Sequence, residues 1–570
     1  MHWIFLLLFR YETKIVKGGI FMTIVNIKMD FFKHDAQAGG FFPNTHANPG
    51  FSIDKFLGES GQNYLIEGIR GTGKTHILKM INQKCIDDFQ HTKILPVYVS
   101  LASVHQWVED DVKLFRIHLY ANIVTQTIKT IEQNRDKINL AGNNNLQKSV
   151  KKIAQMFGLN SSENVDVIIK RIKELSEQLL SDLNYNPETI KTVFGTQSNT
   201  VTTATTNVSV PSVGSIGVTS NASYGESEQQ EFLYVGNSLS HSNAASFLVN
   251  FILEMKNILN HSYTFLLIDE CSEVSKEAQI EVFRLLKLIR GALTDEVNEN
   301  AAYFCASVYP PPITHYPSKV NGDSFNFDVG HDAIMEYVSM DELSDDYIDF
   351  YKTLTNNRIR EMLSETGYTS YLDIMENEKC LILAAYFSNG NVRRYIEILK
   401  HAYDNLIQRI GHKQSPTNVE KINSKDVEEA LSSIVPNQVL ASNKLSTNDF
   451  HILDSIVTKM NKRNKKNETE NKSKEIKNKL PANVYFTVSR SEALQLGNLF
   501  MQGAIHDKGK TRVKKYYKKD GLRGPLLMLD LSVAFHEGAI DRNRTSEIFV
   551  KDLSKNAKSG YLWCQDVSLE

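Results

Sequence analysis

Apolar and polar positions change their period several times along the chain, and each change marks an element. From Asn63 a short apolar run, "NYLIEGI", gives way to a Gly-rich turn, "RGTG", and then to "KTHILKMINQKCIDDF", with apolar residues at helical spacing. Strand, tight turn and helix follow from that order. A second continuous apolar run, "ILPVYVSL" (Ile94 to Leu101), reads as a buried strand. Strands alternating with helices predict a parallel sheet covered by helices. From about Asp111 to Gln133, the residues Leu114, Ile117, Ala121, Val124, Ile128 and Ile131 make one face of a long helix.

Between about Asn143 and Ser240 the core pattern pauses. The first part, "VDVIIKRIKELSEQLLSDL", is an amphipathic helix, and the second, "TQSNTVTTATTNVSVPSVGSIGVTSNASYGESEQQ", is rich in Ser, Thr, Asn and Gly with weak alternation. This composition predicts a mobile insertion, either an exposed hairpin or disorder. Core pattern resumes with the helix "AASFLVNFILEMKNIL", the strand "YTFLLIDE" (Tyr263 to Glu270), a helix through "QIEVFRLLKLIR" and the strand "AAYFCASVY" (Ala301 to Tyr309). Past the Pro310-Pro311-Pro312 breaker, the chain from about His331 to Ile434 reads as helical. From Ser446 the order is helix ("NDFHILDSIVTKM"), lysine-rich loop, strand ("VYFTV"), helix ("RSEALQLGNLFMQ"), strand ("AIHD"), basic turn and strand ("GPLLMLDL").

Composition narrows the class. A chain of 570 residues that is 41% hydrophobic can bury a large core and divides into three or four domains. A formal net charge of -2 excludes a globally basic nucleic-acid coat, so any such contact must come from local patches. Five scattered cysteines, with no C-x-x-C pair, argue for a reducing cytoplasm and against a disulfide framework or zinc site. "WIFLLLF" (Trp3 to Phe9) is much shorter than the roughly 20 apolar residues of a spanning helix, so no membrane segment is expected. Lys17-Gly18-Gly19 is encodable as AAAGGAGG, a bacterial ribosome-binding sequence, ahead of Met22. Residues 1–21 are therefore expected to be untranslated or disordered.

Two motifs carry the chemistry. In Gly68-Ile69-Arg70-Gly71-Thr72-Gly73-Lys74-Thr75, followed by His76, the glycines let backbone N–H groups turn inward around phosphates at the positive end of the next helix. Lys74 is expected to reach the β- and γ-phosphates of ATP, and Thr75 to ligate Mg2+. In "FLLIDE" four apolar residues bury a strand, and Asp269 emerges at its carboxyl end, where ligands sit in parallel sheets. Asp269 would hold Mg2+ through water, and Glu270 would polarise the attacking water. The N-K-x-D of switch GTPases does not occur.

With these motifs the chain from roughly Asn48 to Ile434 resembles the AAA+ ATPases, and among them the initiator clade of origin-recognition type. The resemblance implies an α/β P-loop NTPase fold: an αβα core with a parallel sheet (22–330, with the insertion at 143–240), a helical lid (331–440) and a C-terminal winged helix (441–570). It implies that Ser307, on "AAYFCASVY", contacts the γ-phosphate. In "SNGNVRRYIEIL" it implies that Arg393, with Arg394 in reserve, reaches ATP from the lid. "INSKDVEEAL" (Ile422 to Leu431), capped at Ser424, resembles the last lid helix.

The departures are informative. No arginine lies between Arg290 and Arg358, where ring-forming relatives place a trans-acting finger, and Lys319 and Lys352 are the only long cations there. Either turnover is slow, or Arg290, Arg358 or Arg360 serves, or the usual ring does not form. In the tail, Lys508, Lys510, Arg512, Lys514, Lys515, Lys518, Lys519 and Arg523 surround Tyr516 and Tyr517 in the expected wing, a surface suited to DNA phosphates. The earlier run from Lys459 to Lys479 is diluted by Asn and Glu and reads as a solvated loop.

These readings converge on an oligomeric, cytoplasmic ATP-hydrolysing protein whose nucleotide state controls its hold on DNA or a partner. The alternative is a signal-transducing NTPase of bacterial antiphage defence, which assembles on ATP and activates an effector protein.

Overall fold

The structure is a computed structural model. It describes residues 25–58, 60–138, 145–159, 164–185, 244–290, 300–411, 419–472, 484–510 and 525–540, apart from isolated positions within them, with short pieces at 235–239 and 565–566. The chain divides into two compact units: Asn48–Met340 with Asp35–Phe41, and Asp341–Glu570 with Phe42–Ala47 and the chain up to His34.

The first unit is built on five parallel strands, β1 (Tyr64–Glu67), β2 (Ile94–Ser100), β3 (Tyr263–Asp269), β4 (Ala302–Val308) and β5 (Ile334–Tyr337), in the order β2-β3-β4-β1-β5. Every residue of β3 is buried, which fits a parallel sheet covered on both faces. Parallel neighbours require crossovers, supplied here by α1 (Lys74–Asp87), α2 (Val112–Gln133) and later helices. The order places β4 between β1 and β3, although both precede it in the chain. The carboxyl ends of β1 and β3 therefore flank one crevice, where ligands bind in open parallel sheets.

The register aligns one row across the sheet. Ser100 pairs with Asp269, Ile268 with Ala306, Ser307 with Ile66, and Ile66 with Glu336. Asp269 and Ser307 thus stand side by side, Ser307 one strand spacing (about 5 Å) and Asp269 two (about 10 Å) from the strand that leads into the Gly-rich turn.

Three sequence expectations change here. Within the segment expected to be a mobile insertion, the expected amphipathic helix is α4 (Val165–Tyr185) and a further helix, α3 (Asn145–Met156), precedes it; their Ile153, Ile168, Ile172 and Leu179, with Phe157 just after α3, join the main hydrophobic core. They pack with α2 and with α5 (Ala244–Leu259), so this part completes the domain. The Ser/Thr-rich part, 196–230, lies outside the described residues. The region from His331, expected to be helical, begins instead with the edge strand β5, paired in parallel with β1, a pairing that the Val338 N–H extends by donating to Glu67 O at 2.8 Å. The lysine-rich segment after Met460 is not a loop at its start. The helix running Thr447–Asn471 carries it to Asn471.

The second unit has the helices α6 (Tyr347–Met362), α7 (Glu378–Ser388), α8 (Val392–Gly411) and α9 (Ser424–Ile434). The cap of α9 is Asn423, one residue earlier than expected, in a reciprocal box with Asp426. Its later part forms a four-stranded sheet, in the order β7-β8-β6-β9, from β6 (Tyr485–Thr487), β7 (Ile505–Lys510), β8 (Pro525–Leu529) and β9 (Gln565–Asp566).

Candidate nucleotide site

The Gly-rich turn leaves β1 at Gly68, whose N–H donates to Val308 O at 3.2 Å, and enters α1 at Gly73. Gly71 and Gly73 have φ of 90° and 98°, a region that side chains with a Cβ adopt only with strain. Those two positive values fold the loop over the first turn of α1, whose N-terminal amides provide a positive cradle. At Gly68 a Cβ would come within 2.5 Å of Thr72 Oγ1, so that glycine answers a close approach. Thr72 Oγ1 donates to Ile69 O at 2.9 Å and fastens the loop across its mouth.

Lys74 extends back into this cradle. Its Nζ donates to Gly68 O at 2.6 Å and Ile69 O at 3.1 Å and lies 4.2 Å from the centre of the Tyr309 ring. Thr75 follows within the first turn of α1, half-buried. His76 lies next to it, its ring 5.3 Å from that of Phe41.

Across β4, Asp269 is 1% exposed and hydrogen-bonded at both oxygens. Oδ1 accepts from Ser307 Oγ at 2.6 Å and from the Glu270 N–H at 3.0 Å, and Oδ2 accepts from the Tyr98 hydroxyl at 2.9 Å. Ser307 Oγ also accepts from the Glu270 N–H, at 2.8 Å. Glu270 has φ of 64°, one of four positive values at non-glycine residues among those described. The two acceptors on its N–H hold that conformation, which directs the chain out of the strand at the acidic pair. Its carboxylate accepts from Ser100 Oγ at 3.0 Å. Buried Asp269 and the hydroxyl-bearing Thr75 are oxygen donors of the kind Mg2+ takes, and the donor set fits that ion.

Ser307, expected near the γ-phosphate, is 1% exposed, and its hydroxyl is bonded on both sides to the acidic pair. Tyr98 and Ser100 were not anticipated. They stand two residues apart at the carboxyl end of β2, on the same face, and alternating hydroxyls at a parallel strand's end were the available signal. Tyr309 was also not anticipated. Burial, then the Glu273 carboxylate, pushes its hydroxyl well above the usual range, so it stays protonated and donates to Glu273.

Of the residues expected from the second unit, Arg393 lies in the first turn of α8, half-buried, its Nε without a hydrogen-bond partner. Arg394, the reserve, is 5% exposed and ion-paired to Asp530. Arg358 is buried and donates to Phe31 O and, at 2.5 Å, to Lys33 O, which takes it out of the candidate fingers. Arg360 Nη1 lies 3.4 Å from Asn357 Oδ1, and Lys352 pairs with Glu378 at 2.6 Å. Lys508, expected on DNA, pairs with buried Glu342. The side chain of Lys510 and the whole of Arg512, Lys514, Lys515, Lys518, Lys519 and Arg523 lie outside the described residues. No described helix is long and apolar enough to cross a membrane.

No family model and no curated protein sequence matches the chain. Among solved structures it is similar to the Aeropyrum pernix ORC2 protein, solved as ADPNP-ADP complexes, at 11% identity and a TM-score of 0.34, covering 89% of this chain and 90% of that one. It is similar to the Aeropyrum pernix ORC1 protein in complex with DNA at 12% identity and a TM-score of 0.30, covering 88% and 93%. A RuvB variant from Thermotoga maritima is similar at 12% identity and a TM-score of 0.21, covering 48% and 69%. The sheet and the site together form an α/β architecture, a five-stranded parallel sheet with the Gly-rich loop at the end of its β1 strand.

Proposed function

We propose that the chain is an ATPase of the AAA+ type that binds Mg-ATP and hydrolyses it, its nucleotide state controlling its hold on DNA or a partner protein. The observation that carries this is the row in which Ser307 stands beside β1 and Asp269 beside Ser307, while Lys74 lies inside the glycine loop. Lys74 and the loop amides would bind the triphosphate. Thr75 and Asp269 would hold Mg2+, which supplies charge neutralisation for the phosphoryl group when bound. Glu270 would accept the proton of the attacking water, and Ser307 keeps that acid and Asp269 in register. Arg393, with an unpartnered Nε, is the candidate reporter of the terminal phosphate in the second unit. Strand, helix and hairpin order from Tyr485 to Leu529 supports a winged-helix reading of the tail, and its basic turn supports DNA as ligand.

The second reading is a signal-transducing NTPase that assembles on ATP and activates an effector. It is favoured by the occupation of Arg358 by backbone carbonyls, which removes one source of a trans-acting arginine. Phosphate release tests the reaction shared by both. Glu270→Gln is expected to retain nucleotide and lose turnover by at least about 100-fold. Turnover equal to that of the unaltered protein would reject the role given to Glu270. Duplex DNA titrated with and without ATP separates the two readings.

A further inference from the structure

The nucleotide reading leaves one feature unused: the aromatic ring against the P-loop lysine. We infer that Tyr309, tied to Glu273, is a positioning residue for Lys74 and links the phosphate loop to the turn that carries Glu270. This rests on the reading of Lys74 as a phosphate-binding group.

Tyr309 directly follows β4, whose last carbonyl, at Val308, accepts from Gly68 N–H at 3.2 Å. The residue is therefore seated beside the first residue of the loop. Its backbone is pinned twice: the N–H lies 2.9 Å from Ser272 Oγ and 3.0 Å from Thr314 Oγ1, and Thr314 Oγ1 donates to Tyr309 O at 2.5 Å. Those bonds leave the ring little freedom, and it is 8% exposed. The Lys74 ammonium sits 4.2 Å from the ring centre, within range of attraction by the negative face of an aromatic ring. From the ring edge the hydroxyl donates to Glu273, whose own N–H donates to Glu270 O at 3.0 Å. Three segments distant in sequence thus form one chain: Lys74, Tyr309, and the turn of Glu273 and Glu270.

Two separable consequences follow. The ring restricts Lys74 to the loop before phosphate arrives, so less freedom is lost on binding. The hydroxyl steadies the turn after Glu270, so its effect falls on the chemical step. A residue that only filled space would not divide its effects in this way.

The test is nucleotide affinity and steady-state ATP hydrolysis of the full chain with Mg2+, for Tyr309→Leu, Tyr309→Phe and Glu273→Gln, with Lys74→Ala beside them. Tyr309→Leu removes the aromatic face and is expected to weaken ATP binding roughly 3- to 30-fold. Tyr309→Phe keeps the face: affinity returns to within about 2-fold of the unaltered protein, while kcat falls roughly 3- to 10-fold through the lost hydroxyl bond. Glu273→Gln is expected to follow Tyr309→Phe in lowering kcat more than it raises KM.

Equal affinity losses in Tyr309→Leu and Tyr309→Phe would overturn the proposal, as would tighter binding by Tyr309→Leu, which would mean that the ring competes with phosphate. If Tyr309→Leu fails to fold, the other two variants decide, and an unchanged kcat in both rejects the link. Lys74→Ala separates the two levels. If it binds ATP as well as the unaltered protein, the nucleotide reading itself fails. If it alone loses binding, only the role of Tyr309 fails.

Discussion

At the scale of single residues, Ser307 concentrates the most consequence in the fewest atoms. One buried hydroxyl donates to Asp269 and accepts from the N–H of Glu270, so Ser307→Ala leaves two polar partners short of a bond. A loss of about 1–3 kcal/mol in stability is expected. Turnover should fall more than binding, because the altered bonds hold the acidic pair rather than the phosphate loop. Thermal melting and phosphate release on the same sample check both. Equal losses of binding and turnover would place Ser307 elsewhere in the mechanism. The glycine loop and the acidic pair were legible in the sequence because each is a local pattern whose chemistry is written in consecutive residues. The partners of the acids were not. Tyr98 and Ser100 reach Asp269 and Glu270 across 171 and 170 positions of chain, and only the pairing of β2 with β3 brings them together.

At the scale of elements, the start of α8 shows how adjacent arginines acquire different fates. Successive helical residues point about 100° apart, so Arg393 is half-buried while Arg394 enters the interior and meets Asp530. Asp530 also accepts from the N–H groups of Ser532 and Val533, capping the short helix after β8, and lies 2.9 Å from His506 Nε2. Burial alone would raise the Asp530 carboxyl, but the Arg394 charge, then the bond from His506, outweigh it and bring it down to about 2. A carboxyl depressed on folding contributes stability that is complete above its unfolded value, about 3.9. That contribution is lost as pH falls through about 2. The acid limb of unfolding between about pH 4 and pH 2 should therefore flatten in Asp530→Asn, measured by circular dichroism. Arg394→Ala strands a buried carboxylate and should cost about 3–5 kcal/mol. An unchanged melting profile would show that the pair contributes nothing. The same scale explains what the hydrophobic pattern concealed. The apolar face of α4 was readable and α3 was not anticipated; α3 packs on α5, which lies far along the chain, so packed helices read as an insertion. β5 was concealed for another reason: it has four residues at a sheet edge, and none of them is fully buried, so no apolar run marks it.

At the scale of the whole molecule, a net charge of -2 leaves DNA affinity to local patches, and the sequence between β7 and β8 is the most basic of them. With Lys508 engaged by Glu342, the remaining cations of that segment carry the expectation. If Lys514, Lys515, Lys518 and Lys519 each neutralise one phosphate, replacing all four by Ala lowers the log–log salt slope by roughly 3 to 4. A slope unchanged by the replacement would favour the effector reading. The central claim is that Lys74 and its glycine loop hold the triphosphate in the crevice that Asp269 and Glu270 border. Calorimetric titration of ATP with Mg2+ into the full chain, beside Lys74→Ala, tests it most directly. Saturable binding that Lys74→Ala abolishes or weakens at least about 100-fold is the predicted result, and no heat of binding, or identical affinity in the two proteins, would contradict it.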